Sequence, residues 1–174
     1  WDNKTWLSSK DYINSFIKFL TKNIKLNSNS KILDIGCGRG KILGHLNKRL
    51  RLQNQPLGID IINHKDKDKR IKFKKIDAVN FFLNNKIKFD LILIKQTIHL
   101  LSLDKIKKLI SLCKKNLRPG GKIFILTLDT DKNELPSFKL MKIYLKKSLK
   151  RDKKILDIIK QSYPYSKKFF FKYK

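Results

Sequence analysis

The stretch Lys31-Ile-Leu-Asp-Ile-Gly-Cys-Gly-Arg-Gly40 is a short apolar run that ends in three glycines spaced two residues apart. The part from Lys31 to Ile35 has the length and composition of a buried strand, whereas apolar residues recur at helical spacing from Lys41 onward. The stretch therefore predicts a strand, a tight turn and the first turn of a helix. Because glycines leave the backbone bare and a helix N-terminus offers free N–H groups, such a turn is typical of nucleotide-binding loops.

The spacing of the glycines decides which ligand the loop suits. A dinucleotide fingerprint needs Gly or Ala where this chain has a lysine, and the phosphate-binding P-loop pattern is incomplete. Asp34-x-Gly36-x-Gly38-x-Gly40 instead resembles motif I of class I S-adenosylmethionine-dependent methyltransferases. The resemblance implies that this loop, including Cys37, faces the methionine and ribose end of the cofactor, and that Asp34 holds its α-ammonium directly or through water.

The second landmark is Asp60, which ends a predicted second strand, Gln55 to Ile61, about twenty positions after the glycine loop. A carboxylate in that place is suited to accept hydrogen bonds from ribose hydroxyls. The resemblance implies this role for Asp60, with the apolar Ile61 facing the adenine. The alternative is a surface aspartate in a strand-end turn.

The third landmark is Asp77-Ala78, which follows a predicted third strand from Ile71 with both faces in use. The resemblance implies that Asp77, with Ala78 beside it, holds the adenine amino group. Asp77 is also suited to cap a short helix, Val79 to Asn84, and one residue can do both.

The continuous apolar run Phe89 to Ile94 predicts a central parallel strand covered on both faces. Because ligands in open α/β sheets collect at the carboxyl ends of strands, residues 95–99 are expected beside the cofactor, with Lys95 among its contacts. His99 is the candidate catalytic base by position and by its titration range, and a hydrogen-bonded structural histidine is the alternative. The Asn/Asp-Pro-Pro-Tyr/Phe signature of many amino-directed DNA, RNA and glutamine methyltransferases is absent here, which argues against methylation of exocyclic amines.

A predicted amphipathic helix, Leu103 to Asn116, leads into Leu117-Arg-Pro-Gly-Gly-Lys-Ile-Phe-Ile-Leu126, which predicts a turn and a fifth strand. With the glycine loop, this segment resembles the small-molecule, type 11-like methyltransferase group that includes the quinone-biosynthesis C-methyltransferases. The resemblance covers roughly residues 31–128.

The chain of 174 residues is expected to form a single S-adenosylmethionine-binding domain, 1–174. The resemblance implies an α/β fold: a Rossmann-like, doubly wound, mainly parallel sheet with helices on both faces. Residues 1–30 would supply an N-terminal helix, 31–128 the cofactor-binding core and 129–174 a lysine-rich helical region with a last strand. No segment remains for the antiparallel last strand of the family's seven-stranded sheet, so either the chain is truncated or the sheet edge is covered in another way.

A formal net charge of +28 favours a nucleic-acid partner at first sight. However, lysine far outnumbers arginine, and isoleucine and asparagine are abundant. An A/T-rich genome explains that composition without any partner, whereas arginine, which phosphate and base recognition prefer, is scarce.

No apolar run has the length of a membrane span and no signal-peptide pattern is present, so the expected location is the cytoplasm, without membrane contact. The two cysteines, Cys37 and Cys113, make neither a disulfide framework nor a zinc site. Both are expected to be reduced, and no metal is expected.

The combined expectation is a methyltransferase that moves a methyl group from S-adenosylmethionine to a small-molecule acceptor by in-line displacement, leaving S-adenosylhomocysteine. Two alternatives remain open: an RNA (rRNA or tRNA) methyltransferase that uses the basic surface, and a non-catalytic cofactor-binding protein.

Overall fold

The computed structural model describes residues 10–126, in which five strands and four α-helices follow one another. The first nine residues and residues 127–174, where the sequence predicts a helical region and a last strand, lie outside the described residues. In chain order the elements are α1 (Lys10–Asn23), β1 (Ile32–Ile35), α2 (Lys41–Leu50), β2 (Leu57–Asp60), β3 (Lys72–Lys75), α3 (Ala78–Leu83), β4 (Phe89–Lys95), α4 (Leu103–Lys115) and β5 (Leu117–Leu126).

The five strands form one sheet in the order β3-β2-β1-β4-β5, and every neighbouring pair is parallel. The chain builds outward from β1 to β3 and then returns to place β4 on the other side of β1. At such a reversal the connections leave in opposite directions, so the carboxyl ends of β1 and β4 border a crevice where ligands bind. The predicted fold class is confirmed, and the sheet of residues 10–126 contains five strands.

Helices cover both faces of the sheet. One core lies between the sheet and α1 and α2, and the other lies between the sheet and α3 and α4. Ile32 of β1 faces the first core, and Leu33 and Ile35 face the second. Because both faces are buried, β1 and β4 need an apolar run without alternation, as their sequences show.

The connection from β2 to β3, residues 61–71, is a loop without a helix. The loop packs on α2 and on the glycine loop: the Asp68 N–H donates to the Arg39 carbonyl at 2.9 Å, and Arg39 forms an ion pair with Asp66. The Asp68 carboxylate lies against Gly44 of α2, where a Cβ would come within 2.3 Å of it. Acidic side chains of this loop therefore brace the outer side of the glycine loop.

In the described part of the sheet, β3 is an edge strand, and three of its four residues are exposed lysines: Lys72, Lys74 and Lys75. Charged side chains on an edge discourage pairing with the strands of other chains. Part of the positive charge thus has a structural role in this fold.

β5 contains the turn that the sequence predicts, in the form of a bulge. Phe89 is paired with Leu117 but Leu91 with Lys122, so the strand carries extra residues between these pairs. At the same end of the sheet, the Asp90 carboxylate accepts the Lys31 N–H at 2.6 Å and the Arg118 guanidinium at 3.1 Å. Asp90 therefore ties β1, β4 and β5 together at the amino end, opposite the ligand crevice.

Candidate cofactor site

The glycine loop joins β1 to α2 with all three glycines in the left-handed region, at φ 70°, 55° and 69° for Gly36, Gly38 and Gly40. A Cβ on Gly36 would lie 2.1 Å from Thr97 Oγ1, and one on Gly40 would lie 2.1 Å from Ile71 Cδ1. Among the described residues, nothing lies within 4 Å of the corresponding position on Gly38. The loop is therefore packed at both ends and open at its middle, where a ligand can approach bare backbone.

Neighbouring β2 holds the loop by hydrogen bonds. The Ile59 carbonyl accepts the N–H groups of Gly36 at 2.9 Å and Cys37 at 3.1 Å. The Asp60 carboxylate accepts the Gly38 N–H at 2.8 Å through one oxygen, and through the other it closes its own turn at 2.9 Å. Asp60 thus does more than close a strand-end turn, because it also fixes the middle of the glycine loop.

Asp34 lies at the base of this loop, in β1, and is only 4% exposed. Burial raises the pKa of this carboxyl to about 7, with Lys95 opposing the shift and Asp60 adding to it. Its Oδ1 has no hydrogen-bond partner among the described residues. Buried polar atoms are almost always paired, so this oxygen offers an acceptor to a bound ligand.

Lys95 ends β4 on the same sheet face as Asp34, because Asp34 is paired with Leu93 and side chains alternate along a strand. Burial lowers the pKa of Lys95, while the nearby Asp34 acts in the opposite direction. Within residues 10–126, Lys95 forms no ion pair at 4.0 Å or less. Its ammonium lies 5.8 Å from the centroid of the Tyr12 ring in α1, within the range of a cation–π contact.

Gln96 and Thr97 belong to the segment 95–99 that the sequence predicts beside the cofactor, but neither was predicted to have a role of its own. Thr97 donates its hydroxyl to the carbonyls of Ile35, at 3.2 Å, and Lys95, at 3.0 Å, so it joins the ends of the two central strands. Gln96 has a left-handed φ of 53°, and its N–H donates to the carbonyl of Leu126 at 2.7 Å. A threonine two residues after a central strand was the one available signal for Thr97, and nothing in the sequence marks Gln96 as left-handed.

A family model described as a methyltransferase domain matches residues 9–158. The chain belongs to this methyltransferase family. It is 34% identical over 116 residues to a phosphoethanolamine N-methyltransferase of Plasmodium falciparum, a match that covers 62% of this chain and 42% of that protein.

Solved structures agree with this assignment at the level of fold. A SAM-dependent methyltransferase from Archaeoglobus fulgidus matches with a TM-score of 0.57 and 22% identity, over 76% of this chain and 68% of that one. A second, from Thiobacillus denitrificans in complex with S-adenosylhomocysteine, matches with a TM-score of 0.53 and 20% identity, over 67% of this chain and 48% of that one. The chain thus spans less than half the length of the curated relative and of the second structure.

The family and the fold class predicted from the sequence are confirmed, and the predicted cofactor agrees with these comparisons. The residues of the methyltransferase domain also fit S-adenosylmethionine chemically. The backbone is open at Gly38, and the buried, unpartnered Oδ1 of Asp34 suits a cationic donor such as an ammonium.

The structural role proposed for Asp77 is confirmed. One oxygen of its carboxylate accepts the N–H groups of Val79 at 2.9 Å and Asn80 at 3.2 Å, and this caps α3, which begins at Ala78. The cap uses one carboxylate oxygen of Asp77 and leaves the other available to a ligand. The contact of Asp77 and Ala78 with adenine stays a prediction.

The remaining predicted site residues also lie at the carboxyl edge of the sheet. Ile61 follows β2 and is 66% exposed, so its side chain is accessible to a ligand. His99 lies in a single turn of 3₁₀ helix, Ile98–Leu100, between β4 and α4. Its role as a base stays a prediction.

Among residues 10–126, no helix combines the length and hydrophobicity needed to cross a membrane.

Proposed function

We propose that the protein transfers a methyl group from S-adenosylmethionine to a small-molecule acceptor. The observation that carries this proposal is the buried carboxylate oxygen of Asp34, two residues before the glycine loop, which has no hydrogen-bond partner among residues 10–126. It stands at the crevice between β1 and β4, where doubly wound sheets bind their ligands. A structural aspartate in a β-strand would be expected to have both oxygens paired.

In this proposal each residue contacts a different part of the cofactor. Asp34 faces the α-ammonium, and the open backbone at Gly38 lies along the ribose and methionine. Asp60 keeps lone pairs for ribose hydroxyls, because each of its oxygens accepts one N–H among the described residues. The exposed Ile61 covers the adenine face, and the free oxygen of Asp77 accepts from the adenine amino group.

S-adenosylmethionine supplies a methyl group on a positively charged sulfur, which is already a strong electrophile. The protein therefore contributes alignment and exclusion of water. Thr97 and the glycine loop hold the carboxyl ends of β1 and β4 in a fixed position relative to one another, which keeps the crevice in one shape. In this proposal His99, which follows β4 in the chain, takes a proton from an acceptor that arrives protonated.

For the acceptor we propose a small polar amine. The support is the likeness to a phosphoethanolamine N-methyltransferase, which extends over 116 residues at 34% identity. Phosphoethanolamine is the first acceptor to test, with ethanolamine as the comparison that lacks the phosphate. Such an aliphatic amine is not an exocyclic base amine, so the missing Asn/Asp-Pro-Pro-Tyr/Phe signature does not argue against it.

The cofactor is tested by calorimetric titration of S-adenosylhomocysteine into the protein. We expect micromolar binding that Asp34→Asn and Asp60→Ala each weaken about tenfold or more, because each removes a charged partner. Asp90→Ala is the matched control, since Asp90 also holds a backbone N–H but at the amino end of the sheet. A folded protein that fails to bind S-adenosylhomocysteine would refute the proposal.

Turnover is tested with labelled S-adenosylmethionine and the two amines. Methylation of phosphoethanolamine that His99→Ala reduces, with S-adenosylhomocysteine affinity preserved, would support both the acceptor class and the base. Cofactor binding without transfer to these amines would contradict the proposed acceptor. If transfer to a wider acceptor pool were also absent, the protein would be a cofactor binder that does not catalyse.

A further inference from the structure

Two opposite charges lie near the carboxyl ends of the two central strands. Asp34 of β1 and Lys95 of β4 lie on the same sheet face, on the side covered by α1 and α2. The two groups are close enough that each shifts the pKa of the other. They do not form an ion pair within 4.0 Å.

Within residues 10–126, neither charge has a full set of partners. Asp34 keeps an unpartnered Oδ1, and the other charged group that acts on it, Asp60 of β2, is itself bonded to the Gly38 N–H. From α1, the Tyr12 ring lies beside the Lys95 ammonium. Buried charges are costly unless partners satisfy them, and a separated pair of opposite charges is satisfied by a ligand that carries an ammonium and a carboxylate on one carbon atom.

We propose that Lys95 binds the α-carboxylate of the cofactor while Asp34 binds its α-ammonium, so that the two side chains recognise its amino acid end as a zwitterion. This inference rests on the proposed function and assigns a specific partner to Lys95. It makes Lys95 a specificity residue, because a nucleoside without the amino acid group gains nothing from it. The competing explanation is that Lys95 only keeps Asp34 ionised.

Three ligands separate these explanations in calorimetric titrations at pH 8, where Asp34, with its pKa of about 7, is mostly ionised. S-adenosylhomocysteine carries both charges, S-adenosyl-3-thiopropylamine keeps the ammonium but lacks the carboxylate, and 5′-methylthioadenosine lacks both. The variants are Lys95→Met, Lys95→Arg and Asp34→Asn. Lys122→Met is the matched control, since it removes one exposed lysine from the neighbouring strand β5.

We expect Lys95→Met to weaken S-adenosylhomocysteine about tenfold or more and to leave S-adenosyl-3-thiopropylamine within about threefold, as a lost charge-assisted bond requires. Lys95→Arg should restore most of the loss. Asp34→Asn should weaken both amine-containing ligands. Neither Lys95→Met nor Lys122→Met should change the affinity for 5′-methylthioadenosine, and that constancy shows that the adenosine part of the site is intact.

Equal losses for S-adenosylhomocysteine and S-adenosyl-3-thiopropylamine in Lys95→Met would overturn the inference, because Lys95 would then act through Asp34. Loss of all three ligands in both Lys95 variants would also overturn it, since the role would be structural. A wild-type protein that binds none of the three ligands refutes the proposed function itself, and the inference with it. A wild-type protein that binds S-adenosylhomocysteine no better than 5′-methylthioadenosine refutes only the inference.

Discussion

The two sides of the crevice are built differently. On the β1 side, three glycines adopt left-handed backbone conformations at no steric cost, and β2 fixes their N–H groups through Ile59 and Asp60. On the β4 side, the left-handed position is occupied by Gln96. The Thr97 hydroxyl donates to the carbonyls of Ile35 and Lys95, and the Lys95 ammonium lies beside the Tyr12 ring. A site made of backbone needs glycine, whereas a site made of side chains accepts many residues. The first side is therefore the one that a sequence motif can reveal.

Gly36→Ala tests the rigid side and has the largest expected effect. A Cβ there would lie 2.1 Å from Thr97 Oγ1. Gly36 also has a φ of 70°, which residues with a side chain adopt only at a cost. Combining the clash with the backbone strain, we expect a loss of about 4 kcal/mol in the free energy of unfolding. Urea denaturation measures it. A loss below about 1 kcal/mol would show that Thr97 moves aside and that the two strand ends are not tightly joined.

The ionisation of Asp34 gives the next effect. Its folded pKa of about 7 lies above the ordinary value of 3.8, so the folded protein binds more protons than the unfolded chain between these values. Stability contributed by the protonated carboxyl is therefore complete below about pH 4 and is lost as the pH rises through 7. We expect the wild type to lose on the order of 3 kcal/mol relative to Asp34→Asn across this range.

Urea unfolding of both proteins at several pH values between 4 and 8 checks this expectation, and the difference between the two curves cancels the other titrating groups. Parallel curves would mean that Asp34 titrates normally and is better solvated than its 4% exposure indicates. Added S-adenosylhomocysteine should reduce the effect, because a bound ammonium favours the ionised carboxylate.

Gly38→Ala tests whether glycine at position 38 is required for cofactor binding or for the stability of the fold. In the described part of the chain no atom lies within 4 Å of a Cβ placed on Gly38, so a methyl group there is expected to cost only backbone strain, about 1 kcal/mol. Gly120→Ala is the control, since its φ is 76° and its Cβ position is equally open, but it lies in the β5 bulge. We expect similar stability losses in both variants and a tenfold or greater loss of S-adenosylhomocysteine affinity only in Gly38→Ala. If Gly38→Ala and Gly120→Ala bound S-adenosylhomocysteine equally well, the ligand would have to lie away from the glycine loop.

The parallel sheet was predicted well from the sequence. Continuous apolar runs mark β1 and β4 because both faces are buried, and Asp60 and Asp77 lie at the predicted carboxyl edge because strand ends in this topology meet there. The interpretations of Asp60 and Asp77 as structural residues were also partly right, since both carboxylates accept backbone N–H groups. Strand ends were less accurate: β2 runs from Leu57 to Asp60, whereas the predicted strand ran from Gln55 to Ile61.

The β4 side was harder to predict, because its features arise from tertiary contacts. The hydroxyl of Thr97 bonds to Ile35, 62 residues away, and no local pattern encodes that distance. The opposed charges of Asp34 and Lys95 similarly become visible only when the register places both side chains on one sheet face.

Gln96→Gly gives the smallest effect and tests whether strain on the β4 side is useful. A left-handed conformation costs a residue with a side chain about 1–2 kcal/mol, and glycine returns part of that as chain entropy, so we expect a net gain of about 0.5 kcal/mol in the free energy of unfolding. Arg51→Gly is the matched control, because Arg51 has a φ of 50° at the C-terminal end of α2, away from the crevice. It should give the same gain.

The two variants should differ in S-adenosylhomocysteine affinity. Gln96 lies between Lys95 and Thr97, so a more mobile backbone at this position must be ordered again on binding, and we expect a loss of a few-fold. Arg51→Gly should leave the affinity unchanged. If both variants gained stability and kept full affinity, the strain at Gln96 would serve no purpose in cofactor binding. If Gln96→Gly alone lost affinity while becoming more stable, the β4 side would be a place where the chain gives up stability to hold its side chains in position.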